Sequence, residues 1–129
     1  MSGKYLLDTN IIIALFAEER DILDKILTAK EIYIPAIALG EMYYGAYNSQ
    51  RIQENVLKLK EFEIETNILT CNAQTAHIYG KIKSSLKKKG IKIPENDIWI
   101  ASLTLENDVI LVSRDKHFDN IDTLKLEKW

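Results

Sequence analysis

Tyr5-Leu6-Leu7-Asp8-Thr9-Asn10-Ile11-Ile12-Ile13 passes from one apolar run, through three polar residues, into a second apolar run. Tyr5-Leu6-Leu7 does not alternate apolar with polar, so it reads as a strand buried on both faces, as in parallel sheets. Asn10 to Ala17 and Glu18 to Ala29 read as one broken helix or two. A strand that turns directly into a helix opens an α/β layer fold. Asp8 stands at the junction. A charge beside a core is costly unless it is paired or binds a metal, and no Lys or Arg sits close enough in the sequence to pair with Asp8.

The alternation continues along the chain. Ile32-Tyr33-Ile34 reads as a second short strand, stopped by Pro35, and Ala36 to Tyr47 as a helix. Arg51 to Phe62 is amphipathic, with Ile52, Val56, Leu59 and Phe62 on one face. Ile68-Leu69 is a third strand. Ala73 to Lys89 forms a helix with Ala76, Tyr79, Ile82 and Leu86 inward, ended by Gly90. Asn96 is placed to cap a helix running through Glu106. Val109 to Val112, a continuous aliphatic run, is the clearest strand, and Leu124 to Leu126 makes a last one. The expected fold is one α/β domain over residues 1–129, Rossmann-like, with a central parallel sheet flanked by helices.

A chain of 129 residues with 47% hydrophobic content is long enough for one domain with a true core. The single cysteine, Cys71, excludes an intramolecular disulfide and a cysteine-rich zinc site. It reads as a small buried apolar residue, and a reducing cytosol fits. Met1-Ser2-Gly3-Lys4 leads into a strand-like run rather than a signal peptide. The apolar run Ile11 to Ala17 stops at Glu18 and is too short for a bilayer. A cytoplasmic protein without a membrane segment is expected. The net charge of −2 argues weakly against a nucleic-acid partner. Cations bound at four carboxylates would reverse that balance, so overall charge does not decide the partner.

Four carboxylates recur at matching places. Asp8 and Asp115 follow strands. Glu41, the only charge between Ile32 and Tyr47, and Asp97, which precedes Ile98-Trp99-Ile100-Ala101, lie in the first two turns of helices. In open α/β sheets such groups gather beyond the carboxyl ends of the strands, at a switch in strand order. Brought together, they would form an all-oxygen site for a hard divalent cation. Singly, each has a plainer reading: Asp8 as a cap or turn residue, Glu41 as a solvated side chain, Asp97 as a first-turn acid, Asp115 as a loop acid. His77 reads as a surface histidine, and His117 as a surface or packing residue within reach of a substrate. The lysines from Lys87 to Lys92 suit a solvated helix end more than an RNA contact. Tyr43, Tyr44 and Tyr47 suit core or interface more than base stacking. There is no phosphate loop, nucleophile elbow or zinc-spaced His pair.

Asp8-Thr9-Asn10-Ile11 after its strand, Leu39-Gly40-Glu41-Met42-Tyr43-Tyr44-Gly45, Asn96-Asp97-Ile98-Trp99-Ile100-Ala101 and Leu111-Val112-Ser113-Arg114-Asp115-Lys116-His117-Phe118 together resemble a PIN domain. More narrowly, they resemble the toxin subunit of VapBC toxin–antitoxin pairs. The resemblance spans nearly the whole chain in order. It implies an endoribonuclease dependent on Mg²⁺ or Mn²⁺, with Asp8, Glu41, Asp97 and Asp115 at the family's acidic positions. Asn10 and Ser113 match its accessory polar positions, and Thr9 joins them in holding the carboxylates. The acidic position matched by Asp115 varies in the family. The implied partners are an RNA substrate, a cognate antitoxin and a second copy of the chain in a homodimer.

Charge makes this chemistry coherent. Two carboxylates about 4 Å apart repel by roughly 4 kcal/mol at an effective dielectric of about 20. A cation relieves that repulsion and can activate a water as nucleophile, and no Ser, Cys or His constellation offers a better one. The alternatives are a housekeeping RNA-processing PIN nuclease with the same site, a non-catalytic RNA- or protein-binding PIN module, and a receiver-like domain phosphorylated on Asp8. The last gives Glu41 and Asp97 no role.

Overall fold

The computed structural model describes residues 3–129. Five parallel strands form one sheet: β1 (Lys4–Leu7), β2 (Glu31–Pro35), β3 (Asn67–Leu69), β4 (Ile110–Val112) and β5 (Leu126–Glu127), in the order β3-β2-β1-β4-β5. Six helices flank it: α1 (Thr9–Phe16), α2 (Arg20–Thr28), α3 (Ala36–Tyr47), α4 (Ile52–Glu65), α5 (Ala73–Lys88) and α6 (Glu95–Asn107). The expected doubly covered parallel sheet is the one formed.

Strand β1 is the centre of the sheet, and its side chains divide the interior in two. Leu6 and Leu111 pack on one face with Ile82, Leu86, Ile98 and Leu103 of α5 and α6. Tyr5, Leu7 and Val112 pack on the other with Ile11 and Ile12 of α1, Ile22 of α2 and Ala38 and Leu39 of α3. Burial on both faces is why Tyr5-Leu6-Leu7 carries no polar alternation. Each large aliphatic side chain so buried contributes about 1.5–3 kcal/mol.

The chain turns sharply between α1 and α2, where Glu18 adopts a left-handed φ of 59°. This resolves the Asn10–Ala29 segment into two helices. Several local expectations shift. The α6 helix begins at Glu95, with Pro94 at the cap position and no side-chain cap, so Asn96 lies inside the helix. The last strand is Leu126–Glu127 rather than Leu124–Leu126. In α5 it is Thr75, not Ala76, that turns inward: Thr75 forms a capping box with Asn72 and bonds Glu106, which rotates Ala76 out to solvent. Cys71 is exposed, on the loop before α5, and not a core residue.

The strand order reverses between β1 and β4, whose register pairs Leu6 with Leu111 and Leu7 with Val112. One step further along both strands stand Asp8 and Ser113. No helix among the described residues is long and apolar enough to cross a membrane.

Candidate active site

Asp8 closes β1 and opens α1. Its backbone N–H donates to Val112 O at 3.0 Å, which continues the sheet ladder by one bond. Its Oδ1 accepts from Thr9 N at 2.8 Å and its Oδ2 from Ser113 Oγ at 2.7 Å. The cap reading and the site reading of Asp8 are thus both satisfied by one side chain. It is only 5% exposed. Burial drives its pKa above the ordinary value; the Ser113 and Thr9 hydrogen bonds oppose this, and the charges of Glu41 and Asp115 add to it.

Asn10 and Ser113 tie the two strand ends together. Asn10 Nδ2 lies 3.3 Å from both Asp8 Oδ2 and Ser113 Oγ, while Asn10 Oδ1 accepts from Arg114 N at 3.2 Å. Ser113 Oγ also accepts from Asp115 N at 3.0 Å. One buried hydroxyl therefore orients two acidic residues at once. Thr9 contributes its backbone N–H, but its hydroxyl is buried and has no hydrogen-bond partner among the described residues. Among the described residues it is the backbone N–H of Thr9, and not its hydroxyl, that bonds the Asp8 carboxylate.

Asp115 caps a 3₁₀ turn over Lys116–Asn120, accepting from His117 N at 2.9 Å. Phe118, 1% exposed, anchors that turn in the core. His117 is thereby swung over the site. Its Nδ1 lies 3.0 Å from Asp97 Oδ2 and 2.9 Å from Asp115 Oδ1. One donor atom from each of Asp97, Asp115 and His117 falls within 4.8 Å of the others. Burial raises the pKa of Asp97; the His117 hydrogen bond opposes this, and the charges of Asp8 and Asp115 reinforce it. The hydrogen bond with Asp97 in turn raises the pKa of His117.

Glu41, on the second turn of α3, is exposed and stands apart from that close trio. Asn96 Nδ2 donates to Glu41 Oε1 at 3.1 Å and so links α3 to the start of α6. The structure therefore brings Asp97 and Asp115 into direct proximity, joins Asp8 to Asp115 through Ser113, and sets Glu41 within electrostatic reach of Asp8. Two further residues join the site: His117, placed by its short spacing from Asp115, and Asn96, whose reading as a helix cap gives way to a bond with Glu41. Arg114 pairs with Glu19 at 2.8 Å and bonds the carbonyl of Trp129. His77 is on the surface.

Residues 5–124 match the PIN domain family. Ribonuclease VapC2 of Haemophilus influenzae is 34% identical over 129 residues, covering 98% of each chain. The chain is a PIN domain of the VapC family. A tRNA(fMet)-specific endonuclease VapC of Shigella flexneri is 26% identical over 98% of each chain. Among solved structures, VapBC2 from Rickettsia felis, bound to a DNA fragment from its promoter, superposes with a TM-score of 0.90 at 33% identity, covering 98% of both chains.

The donor set of this PIN domain fits a divalent cation. It offers carboxylate oxygens, one of them from a nearly buried side chain. Among the described residues no Lys or Arg pairs with Asp8, Glu41, Asp97 or Asp115. Burial, with the charges of neighbouring carboxylates adding to it, raises the pKa of Asp8 and of Asp97, and this constitutes an electrostatic demand for a cation.

Proposed function

We propose that this chain, acting as one domain over residues 1–129, is a metal-dependent endoribonuclease and the toxin of a toxin–antitoxin pair. The observation that carries the reading is the cluster of Asp8, Asp97 and Asp115, with Glu41 near it, at the switch point of the sheet and without a cationic side-chain partner from Lys or Arg. The VapC relatives named as ribonucleases support RNA as the substrate.

Asp8, Glu41, Asp97 and Asp115 would hold Mg²⁺ or Mn²⁺. When bound, the cation supplies Lewis-acid stabilisation of the phosphate and a more acidic water. The chain's own residues do the rest. Ser113 and Asn10 fix the Asp8 carboxylate, so little reorganisation is left for the reaction. Asn96 orients Glu41. Asp115, the more exposed of the two acids beside His117, would orient the attacking water and accept its proton.

A groove of about 720 Å³ runs from Thr9 and Glu41 between α1, α3 and α4, lined by Ile13, Phe16, Met42, Tyr44 and Leu59. Ile11 and Ile12 of α1 face the core. Ile13, Phe16, Tyr44 and Tyr47 are the exposed members. This groove suits an antitoxin helix, and an antitoxin Arg or Lys at its Glu41 end would reach the carboxylates. The remaining exposed apolar side chains suit a homodimer.

The test is cleavage of purified RNA by purified protein. Activity that appears with Mg²⁺ or Mn²⁺, is abolished by chelator and is absent from Asp8→Asn and Asp97→Asn supports the proposal. Cleavage that persists in both variants overturns it. Growth arrest on expression of the chain alone separates a toxin from a housekeeping nuclease.

A further inference from the structure

We propose that His117 Nδ1 is a direct ligand of the bound cation, so that the site presents a mixed nitrogen–oxygen donor set and favours first-row transition cations over Mg²⁺. The inference rests on the reading of the carboxylate cluster as a metal site and adds a ligand to it.

The distances carry the inference. His117 Nδ1 is 3.0 Å from Asp97 Oδ2 and 2.9 Å from Asp115 Oδ1. Neighbouring ligand atoms of an octahedral ion with bonds of about 2.1 Å are separated by roughly 3 Å. Both His–Asp separations match one edge of that octahedron. All three donor atoms fall within 4.8 Å of one another. A cation bound by all three would replace the contacts of His117 Nδ1 with the two carboxylates by coordinate bonds.

The local chain makes this geometry specific. The 3₁₀ turn over Lys116–Asn120 fixes the His117 backbone through Asp115 Oδ1, and the buried Phe118 next to it pins the turn. The ring thus approaches from the solvent side. Asp97 arrives on α6 and Asp115 from the end of β4, so three separate anchors converge. Imidazole suits transition cations, whereas Mg²⁺ is held mainly by carboxylates, phosphates and water.

The alternative is that the His117 ring only hydrogen-bonds the two carboxylates and competes with the cation. The two roles give opposite signs. Loss of an outer partner of a metal ligand already costs about 10–100-fold in affinity, so removal of a direct ligand by His117→Ala should raise the Kd for Mn²⁺ at least tenfold. It should raise the Kd for Mg²⁺ less. Removal of a competitor would lower both.

The experiment is a titration of the full chain with Mn²⁺ alone, followed by continuous-wave and pulsed electron paramagnetic resonance. The expected result is nitrogen hyperfine coupling in the wild type and in His77→Ala, lost in His117→Ala together with weaker binding. Coupling does not depend on how well the variant folds, since the wild type alone reveals it. Mn²⁺ binding without nitrogen coupling, or tighter binding by His117→Ala, overturns the role of His117 and leaves the metal site standing. A wild type that binds no Mn²⁺ overturns both.

Discussion

Ser113 Oγ donates to Asp8 Oδ2 at 2.7 Å across 105 residues of sequence, and the same oxygen accepts from the backbone N–H of Asp115. The bond closes the switch point of the sheet and stabilises the charged form of the most buried carboxylate. Removing it leaves that carboxylate with fewer partners in a low-dielectric site, at a cost of about 1–3 kcal/mol. Ser113→Ala should lower the urea midpoint accordingly, raise the Asp8 pKa further and slow RNA cleavage about 10–100-fold. A variant as stable and as active as the wild type would show that the bond is incidental.

The Asp8 carboxylate should make the metal-free protein less stable as pH rises. Its folded pKa lies above the ordinary value of 3.8. The folded state then holds more protons than the unfolded chain across the interval above 3.8, and stability falls as pH rises through that interval. Asp8→Asn removes the contribution. In chelator, the variant's advantage in urea midpoint over the wild type should grow as pH climbs from 3.8 through the raised folded value. A constant gap across that range would refute the electrostatic account.

Mg²⁺ and Mn²⁺ should reverse that instability. A ligand at 100 times its Kd stabilises by about 2.7 kcal/mol. The wild type should therefore melt higher in saturating Mn²⁺, while Asp8→Asn and Asp97→Asn, both folded, should gain much less. Their cleavage rates should drop about 100-fold or more, since a cation's charge stabilisation is worth several kcal/mol and each 1.36 kcal/mol is tenfold. Equal thermal shifts in wild type and variants would place the bound ion elsewhere.

Asp108 should be a site of easy stabilisation. It ends α6 in the left-handed region at φ 51°, and its ion pair with Lys125 is exposed. Left-handed geometry costs a residue with a Cβ about 1–2 kcal/mol, partly offset by the extra chain entropy of glycine. Asp108→Gly should gain roughly 0.5–1 kcal/mol and raise Tm by a few degrees. An unchanged or lower Tm in a differential scan would mean that the ion pair or chain entropy outweighs the strain.

Ile13, 55% exposed, lines the groove beside α3 without entering the core. Ile13→Asp should leave the circular dichroism spectrum intact and weaken co-purification with the product of an adjacent short gene. Retention of that partner at wild-type yield would remove the groove from consideration as the antitoxin's seat.

Much of this protein was determined locally by its sequence. Continuous apolar runs such as Tyr5-Leu6-Leu7 and Val109 to Val112 specify strands covered on both faces, because only a doubly buried strand can dispense with polar alternation. Alternation with helices then dictates a parallel sheet, and acids just past strand ends or early in helices project to one rim. The order β3-β2-β1-β4-β5 was decided by the tertiary structure, because it depends on which non-adjacent strands pair. That pairing sets Asp8 against Ser113, and the packing of α6 brings Asp97 to Asp115 and His117. The inward turn of Thr75 in place of Ala76, the exposure of Cys71 and the pairing of Arg114 with Glu19 were likewise settled there. Each depends on a partner distant in sequence or on the exact rotation of a helix, and periodicity fixes such a rotation only to within a residue.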